Sequence, residues 1–172
     1  ATILAEELDA GWDQVQVESA PANAELYGNA LIGGIQATGG STAMASSWKQ
    51  LRRAGATARA MLVAAAAERW GVAASEIQVA KGVLRHPASA QQASFGDLAE
   101  AAAQQPAPED VALKDPQAFR LIGERVPRVD AREKSTGEAR FTKDQQMPDM
   151  LTAVMLRPPL VGAAVRSFDD TD

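Results

Sequence analysis

Cysteine is missing from all 172 residues, and histidine occurs once, at position 86. The first absence excludes a disulfide framework and any thiolate-ligated metal. The second leaves a metal site only where several carboxylates converge on a single imidazole. His86 precedes Pro87 in a predicted turn, a poor setting for that, and no residue is read as a metal ligand. A basic surplus is lacking as well. Seventeen Lys and Arg against 22 Asp and Glu leave a net charge of −5, which argues against nucleic acid as the main partner, because phosphate backbones are gripped by basic faces. Nor is there an apolar run long enough to span a bilayer, since the most hydrophobic stretch is interrupted by Arg53, Arg59 and Arg69. The G-x-S-x-G elbow, the P-loop and the dinucleotide G-x-G-x-x-G pattern are all absent. A Ser–His–Asp triad would have to recruit His86, which has no serine in a strained turn beside it. Glu6-Glu7 and Asp169-Asp170 are adjacent pairs that point different ways, so neither suits concerted acid–base work. No catalytic residue is assigned.

What is present centres on residues 36–71, QATGGSTAMASSWKQLRRAGATARAMLVAAAAERWG. Gly39, Gly40, Ser41 and Thr42 form a loop that runs into a long helix starting near Ala45. Glycine lets backbone approach a ligand closely, hydroxyls cap free amides, and a helix N-terminus carries partial positive charge. Together they make an anion site. The same residues also serve as a plain turn ahead of a core helix, so the local pattern leaves both readings open. Along the helix, Trp48, Leu51, Ala54, Ala58, Leu62, Ala66 and Trp70 recur at three- and four-residue steps, a predicted buried stripe. Gly55 interrupts it at a cost of about 1 kcal/mol against alanine, and Gly71 is the predicted C-terminal cap.

Around that helix the chain reads as α/β (α+β). Residues 1–8 predict a helix with Ile3, Leu4 and Leu8 on one face. Residues 14–19, with Val15 and Val17 on one side, predict a short strand, and 20–37 a long irregular loop. Residues 73–76 suggest a helical turn. Residues 77–80 and 83–86 flank Lys81-Gly82 as a tight hairpin, and Ser94 with Asp97 forms a capping box for a helix through Ala103. Residues 105–120, rich in Pro, Ala and acids, read as a linker; 118–123 suggests a strand or turn. From 121 the pattern changes, with strand candidates at 139–142, 151–156 and 163–168 in an incomplete β-rich unit whose edges lack partners. Its charges, Arg128, Asp130, Arg132, Glu133 and Lys134, read as solvated. Ala1 falls inside an apparent helix and Asp172 follows a strand-like run directly, so the chain is expected to be a piece of a longer polypeptide.

The runs LAEELDAGWDQVQVESAPA, QATGGSTAMASSWKQLRRAGATARAMLVAAAAERWGV and RVPRVDAREKSTGEARFTKDQQMPDMLTAVMLRPP cover most of the chain. Together they resemble the molybdopterin-binding large subunit of the xanthine dehydrogenase/aldehyde oxidase family of molybdenum hydroxylases, in the branch typified by the isoquinoline 1-oxidoreductase β-subunit. The resemblance implies a partial molybdopterin-binding domain over 1–104, the 105–120 linker, and the start of an a/b hammerhead domain over 121–172. It places a molybdopterin cytosine dinucleotide against Gly39, Gly40, Ser41, Thr42, Ala45, Ser46 and Ser47. It puts the iron–sulfur clusters on a small partner subunit and the catalytic glutamate outside these residues. The parent implied is an oxidoreductase hydroxylating an aldehyde or N-heterocycle, with periplasmic localisation, otherwise cytoplasmic. The segment by itself is expected to be inactive. Two other classes compete with this reading. One is a non-enzymatic subunit-assembly module, and the other is a binder of a different phosphorylated ligand.

Overall fold

The computed structural model describes residues 1–169. It divides into two units, Ala1–Arg132 and Glu133–Asp172, and the first is mixed α/β. Helix α1 (Thr2–Leu8) ends at Asp9, whose positive φ of 58° turns the chain while its N–H bonds back to Ala5 O and Glu6 O. A 3-10 turn at Trp12–Gln14 follows. Residues 15–19 then run without strand pairing, so the predicted strand has no ladder. The long loop holds one helical turn, α2 (Ala24–Tyr27), capped by the Asn23 side chain, and a 3-10 turn at Ala30–Ile32.

Helix α3 (Ala43–Trp70) has 28 residues, about 42 Å at the usual rise. It stops at Gly71, where φ is +65° and the amide bonds to Ala67 O and Glu68 O, the predicted glycine cap. The hairpin also forms as predicted. Strands β1 (Gln78–Ala80) and β2 (Val83–His86) are antiparallel with Ala80 opposite Val83. Lys81 and Gly82 both take positive φ, 50° and 75°, as a two-residue turn between twisted strands requires. A third strand, β3 (Gln91–Ser94), pairs on β2 with Leu84 opposite Ala93. Its opening glutamines hid it from hydrophobic patterning. Ser94 then caps α4 (Phe95–Ala103): its Oγ accepts from Asp97 N, and Asp97 Oδ2 accepts from Ser94 N at 2.8 Å.

The core lies where α3 and α4 cover the three-stranded sheet. Leu62, Ala65 and Ala66 meet Ile77, Val79, Leu84, Ala93, Leu98 and Ala102. Trp70 packs half-buried against this cluster, as the stripe predicted. The N-terminal half of α3 turns a different face inward. Arg52, Gly55 and Ala56 are buried, whereas Ala54 is exposed and Trp48 is 36% exposed. With alanines on every side, α3 carries only a weak directional signal, and the packing of α1 decides which face is covered. Gly55 marks that crossing. A Cβ there would sit 2.6 Å from Leu4 O and 3.0 Å from Glu7 Cβ, so the residue read as a weak point is what lets the two helices touch.

In the second unit, helix α5 (Ala131–Thr136) leads in from the first, and a 3-10 turn spans Thr142–Asp144. Among the described residues the strand candidates at 139–142, 151–156 and 163–168 form no ladder. Leu151, Val154 and Leu156 are 93%, 84% and 95% exposed. A β-strand exists only when paired, and these runs meet no second edge.

Candidate functional site

The loop singled out in the sequence is exposed and runs straight into α3. Gly40 and Ser41 both have positive φ, 58° and 55°. Gly39 has neither a positive φ nor any atom within 4 Å of where a Cβ would stand, so nothing within the described chain demands glycine there. Thr42 occupies the N-cap position in a helical conformation (φ −91°, ψ −17°) and makes no side-chain cap bond. An N-cap hydroxyl reaches the next turn's amides from extended backbone; here Thr42 Oγ1 donates to Gly39 O at 2.9 Å and accepts from Asn29 Nδ2 at 2.8 Å. Asn29 is itself buried: its Oδ1 accepts from Leu31 N, its N–H donates to Ile35 O, and its carbonyl accepts from Ile32 N and Gly34 N. The hydroxyl expected to cap the helix therefore braces the loop instead.

The consequence is a row of bare donors. Among the described residues no acceptor meets the N–H groups of Gly39, Gly40, Ser41, Ala43, Met44 or Ala45. Ala43, Met44 and Ala45 are exposed, and the first turn of α3 holds no acidic residue. The positive end of the dipole is thus left unneutralised by the chain itself. Three of the seven sequence-derived positions are differently engaged: Thr42, whose amide bonds to Gly39 O at 3.2 Å as its hydroxyl braces the loop, and the two serines. The Ser46 amide is spent on Thr42 O at 2.9 Å, and Ser47 Oγ donates to Ala43 O at 2.8 Å. The donor set left without an acceptor among the described residues is Gly39 to Ser41 and Ala43 to Ala45, all on exposed residues. Amide N–H groups at a helix start with no competing carboxylate suit phosphate oxygens, so the donor chemistry fits a dinucleotide.

A second polar assembly involves the acids that the sequence reading set aside because adjacent carboxylates point apart. They do, and each finds its own partners. Glu6 is 1% exposed, and its Oε2 accepts from the amides of Arg120 (2.9 Å), Leu121 (2.6 Å) and Ile122 (3.0 Å). Its Oε1 takes Lys114 Nζ at 3.0 Å, and the same ammonium donates to Asp9 Oδ1 at 2.6 Å. Glu7, also 1% exposed, binds Arg52 Nε at 2.6 Å and Lys114 N at 3.0 Å. Arg59 completes the set on Asp9 Oδ2 at 2.7 Å. Arg52 lies over the rings of Trp48 and Phe119, 5.5 and 5.2 Å from their centroids. Burial alone would push the Glu6 carboxyl up; the three amides and Lys114 outweigh it and hold the group below its ordinary value. Every acid here is satisfied by a fixed cation or amide, so the cluster braces residues 114–122 against α1 and does no acid–base chemistry.

His86, at the end of β2, is 6% exposed and pairs through Nδ1 with Ser89 Oγ at 2.7 Å. Its Nε2 has no hydrogen-bond partner and lies 3.8 Å from Glu76 Oε2. Among the described residues no group of His, Asp and Glu is placed to hold a metal, and no helix is long and apolar enough to cross a membrane. Arg128 and Asp130 form an exposed ion pair at 2.8 Å. Asp170 lies outside the described residues.

No family model matches the chain. Individual relatives do. The β-subunit of isoquinoline 1-oxidoreductase from Brevundimonas diminuta is 36% identical over 200 aligned residues, covering 97% of this chain and 26% of that protein. A nicotinate dehydrogenase subunit from Pseudomonas putida is 33% identical over 163 residues, covering 94% of this chain and 13% of that protein. The chain therefore spans about a quarter or less of the curated relatives it matches. With likeness running along nearly its whole length to two such subunits, the chain belongs to the molybdopterin-binding large subunits of the xanthine dehydrogenase/aldehyde oxidase family, in the branch of the isoquinoline 1-oxidoreductase β-subunit.

Proposed function

We propose that this chain is a cofactor-binding segment of a molybdenum hydroxylase large subunit. In this reading Gly39, Gly40, Ser41, Ala43, Met44 and Ala45 hold the phosphates of a molybdopterin cytosine dinucleotide through backbone N–H groups. Thr42 and Asn29 keep the loop in shape, while the Ser46 amide and the Ser47 hydroxyl are already bonded to Thr42 O and Ala43 O. When bound, the molybdenum centre supplies oxygen transfer and two-electron redox chemistry. The observation that supports this is the row of unpaired amides at an acid-free helix start. The parent would hydroxylate an aldehyde or N-heterocycle, with its catalytic glutamate outside these residues. Electrons would pass to a small iron–sulfur subunit. Residues 1–104 would form part of the molybdopterin-binding domain, 105–120 its connection, and 121–172 the start of an a/b hammerhead domain. A periplasmic location belongs to the same proposal, and the segment by itself would be inactive.

Ala45→Asp tests the site cleanly. An acid in the first helical turn stabilises a helix by about 0.3–1 kcal/mol, yet it repels a phosphate placed on the same amides. The full large subunit carrying Ala45→Asp is expected to melt no lower than wild type while its molybdenum and cytidine nucleotide content falls at least tenfold. Wild-type cofactor content would overturn the assignment. One observation favours a second reading, a subunit-assembly module: the exposed apolar run of Leu151, Val154, Met155 and Leu156. Under that reading Ala45→Asp leaves cofactor content unchanged.

A further inference from the structure

The loop ahead of α3 contains a relay of hydrogen bonds whose polarity is fixed at both ends. It starts at a backbone donor, Leu31 N–H, which gives to Asn29 Oδ1 at 3.0 Å. That bond settles which end of the amide is oxygen, and the other end, Nδ2, donates to Thr42 Oγ1 at 2.8 Å. A hydroxyl carries one hydrogen. Thr42 passes its own to Gly39 O at 2.9 Å, so the relay ends on a backbone acceptor. The middle position needs a short side chain that accepts at one end and donates at the other, which asparagine does and aspartate does not. Asn29 is also held from behind. It is 7% exposed, its N–H donates to Ile35 O, and its carbonyl accepts from Ile32 N and Gly34 N. Gly28 before it has no room for a side chain, because a Cβ there would collide with Ala24 O and Gly34 O.

We propose that Asn29 is a positioning residue for the dinucleotide: by donating to the Thr42 hydroxyl it keeps that hydroxyl off the first turn of α3. Threonine is a good N-cap, and Thr42 stands at that position without capping. Asn29 and Gly39 claim its oxygen and its hydrogen first. The Met44 and Ala45 amides, which a capping hydroxyl would meet, therefore stay open for phosphate oxygens. The role rests on the loop being the phosphate-binding site. Asn29→Ser separates the two ends of the relay. Serine can still take the Leu31 N–H in a Ser-type turn, but it is too short to reach Thr42. Released from Nδ2, Thr42 is free to adopt extended backbone and cap α3, and the site closes from within.

Residue-resolved hydrogen–deuterium exchange on the full large subunit, made without cofactor, reads these amides directly, with the interior of α3 and α4 as the folding control. In wild type, Met44 and Ala45 are expected to exchange near their intrinsic rates. Asn29→Ser should slow one of them roughly tenfold, the protection of an ordinary cap bond. Made with cofactor, the same variant should lose molybdenum and cytidine nucleotide content by a similar factor. The double variant Asn29→Ser/Thr42→Val has no hydroxyl to cap with, so fast exchange should return and cofactor content should recover above the single variant. A residue that only supported the fold would lose more with the second substitution. Slow exchange at Met44 or Ala45 in wild type, or fast exchange at both in Asn29→Ser, would overturn the proposal whatever the cofactor content. A slowed amide with wild-type cofactor content would overturn it differently, by showing that the phosphates are not held on these amides at all.

Discussion

Replacing Glu6 by glutamine removes one charge and almost no volume, so its effect isolates what the carboxylate contributes. In the native chain Oε2 alone receives three consecutive amides, those of Arg120, Leu121 and Ile122, and Oε1 receives Lys114. Glutamine can keep its carbonyl oxygen toward the amides, but its NH₂ then faces the Lys114 ammonium, donor against donor. A hydrogen bond to a charged group contributes about 1.5–3 kcal/mol and a neutral one about 0.5–1.5, a difference of roughly 1 kcal/mol for each of three amides. The sum, about 3 kcal/mol, sits at the lower end of the roughly 3–5 kcal/mol seen when one partner of a buried pair is removed. Urea unfolding at pH 7 should register that loss. The pH dependence gives the independent check. Because the native Glu6 pKa is depressed, its contribution is complete above the unfolded-state value and is withdrawn as pH falls through the native one. The gap between wild type and Glu6→Gln should therefore close on acidification. Lys114, Arg120, Arg52, Arg59, Glu7 and Asp9 are present in both proteins, so their own contributions largely cancel in the comparison. A loss under about 0.5 kcal/mol at pH 7, or a gap unchanged at acid pH, would refute the reading that Glu6 braces residues 114–122 against α1.

Further expectations follow from local geometry. Gly55→Ala should lower stability by about 1–3 kcal/mol, the usual overpacking penalty, although alanine is the better helix former; urea melts showing stabilisation would mean that α1 does not cross α3 there. Ser94→Ala removes the N-cap of α4 at a cost of about 1 kcal/mol, measurable as a lowered Tm. Asp97, held below its ordinary carboxyl value mainly by the Ser94 hydroxyl and amide, should show that depression in a carbon-detected NMR titration. In Ser94→Ala its pKa should rise toward the ordinary value, and an unmoved pKa would assign the shift to another cause.

Much of the first unit was legible because local chemistry decided it. Gly71 ends α3 since the cap needs positive φ; Lys81-Gly82 closes the hairpin for the same reason; Ser94 and Asp97 start α4 by satisfying each other's orphan groups. The Gly39–Ser41 turn was equally readable, as was the start of α3. Other features depended on residues far apart in sequence. β3 escaped the sequence reading because its glutamines carry no alternation. Trp48 belongs to the core only on a stripe argument, and a stripe on an alanine-rich helix has no preferred direction until α1 lies on it. Glu6 and Glu7 looked idle, since their partners are far off in sequence, Arg52 by 45 residues and Lys114 and Arg120–Ile122 by more than a hundred.

Sequence alone thus determined where α3 ends, where the hairpin turns and where α4 begins, because caps and positive-φ positions are settled by a few neighbouring residues. It also determined the family, through likeness spread along the chain. Only tertiary structure decided which face of α3 is buried and that Gly55 is a contact. Tertiary packing likewise turned the Thr42 hydroxyl away from its helix, leaving the amides of Ala43 to Ala45 bare. Those outcomes depend on what a side chain meets across the fold, and the competition among distant donors and acceptors is resolved only when they are brought together.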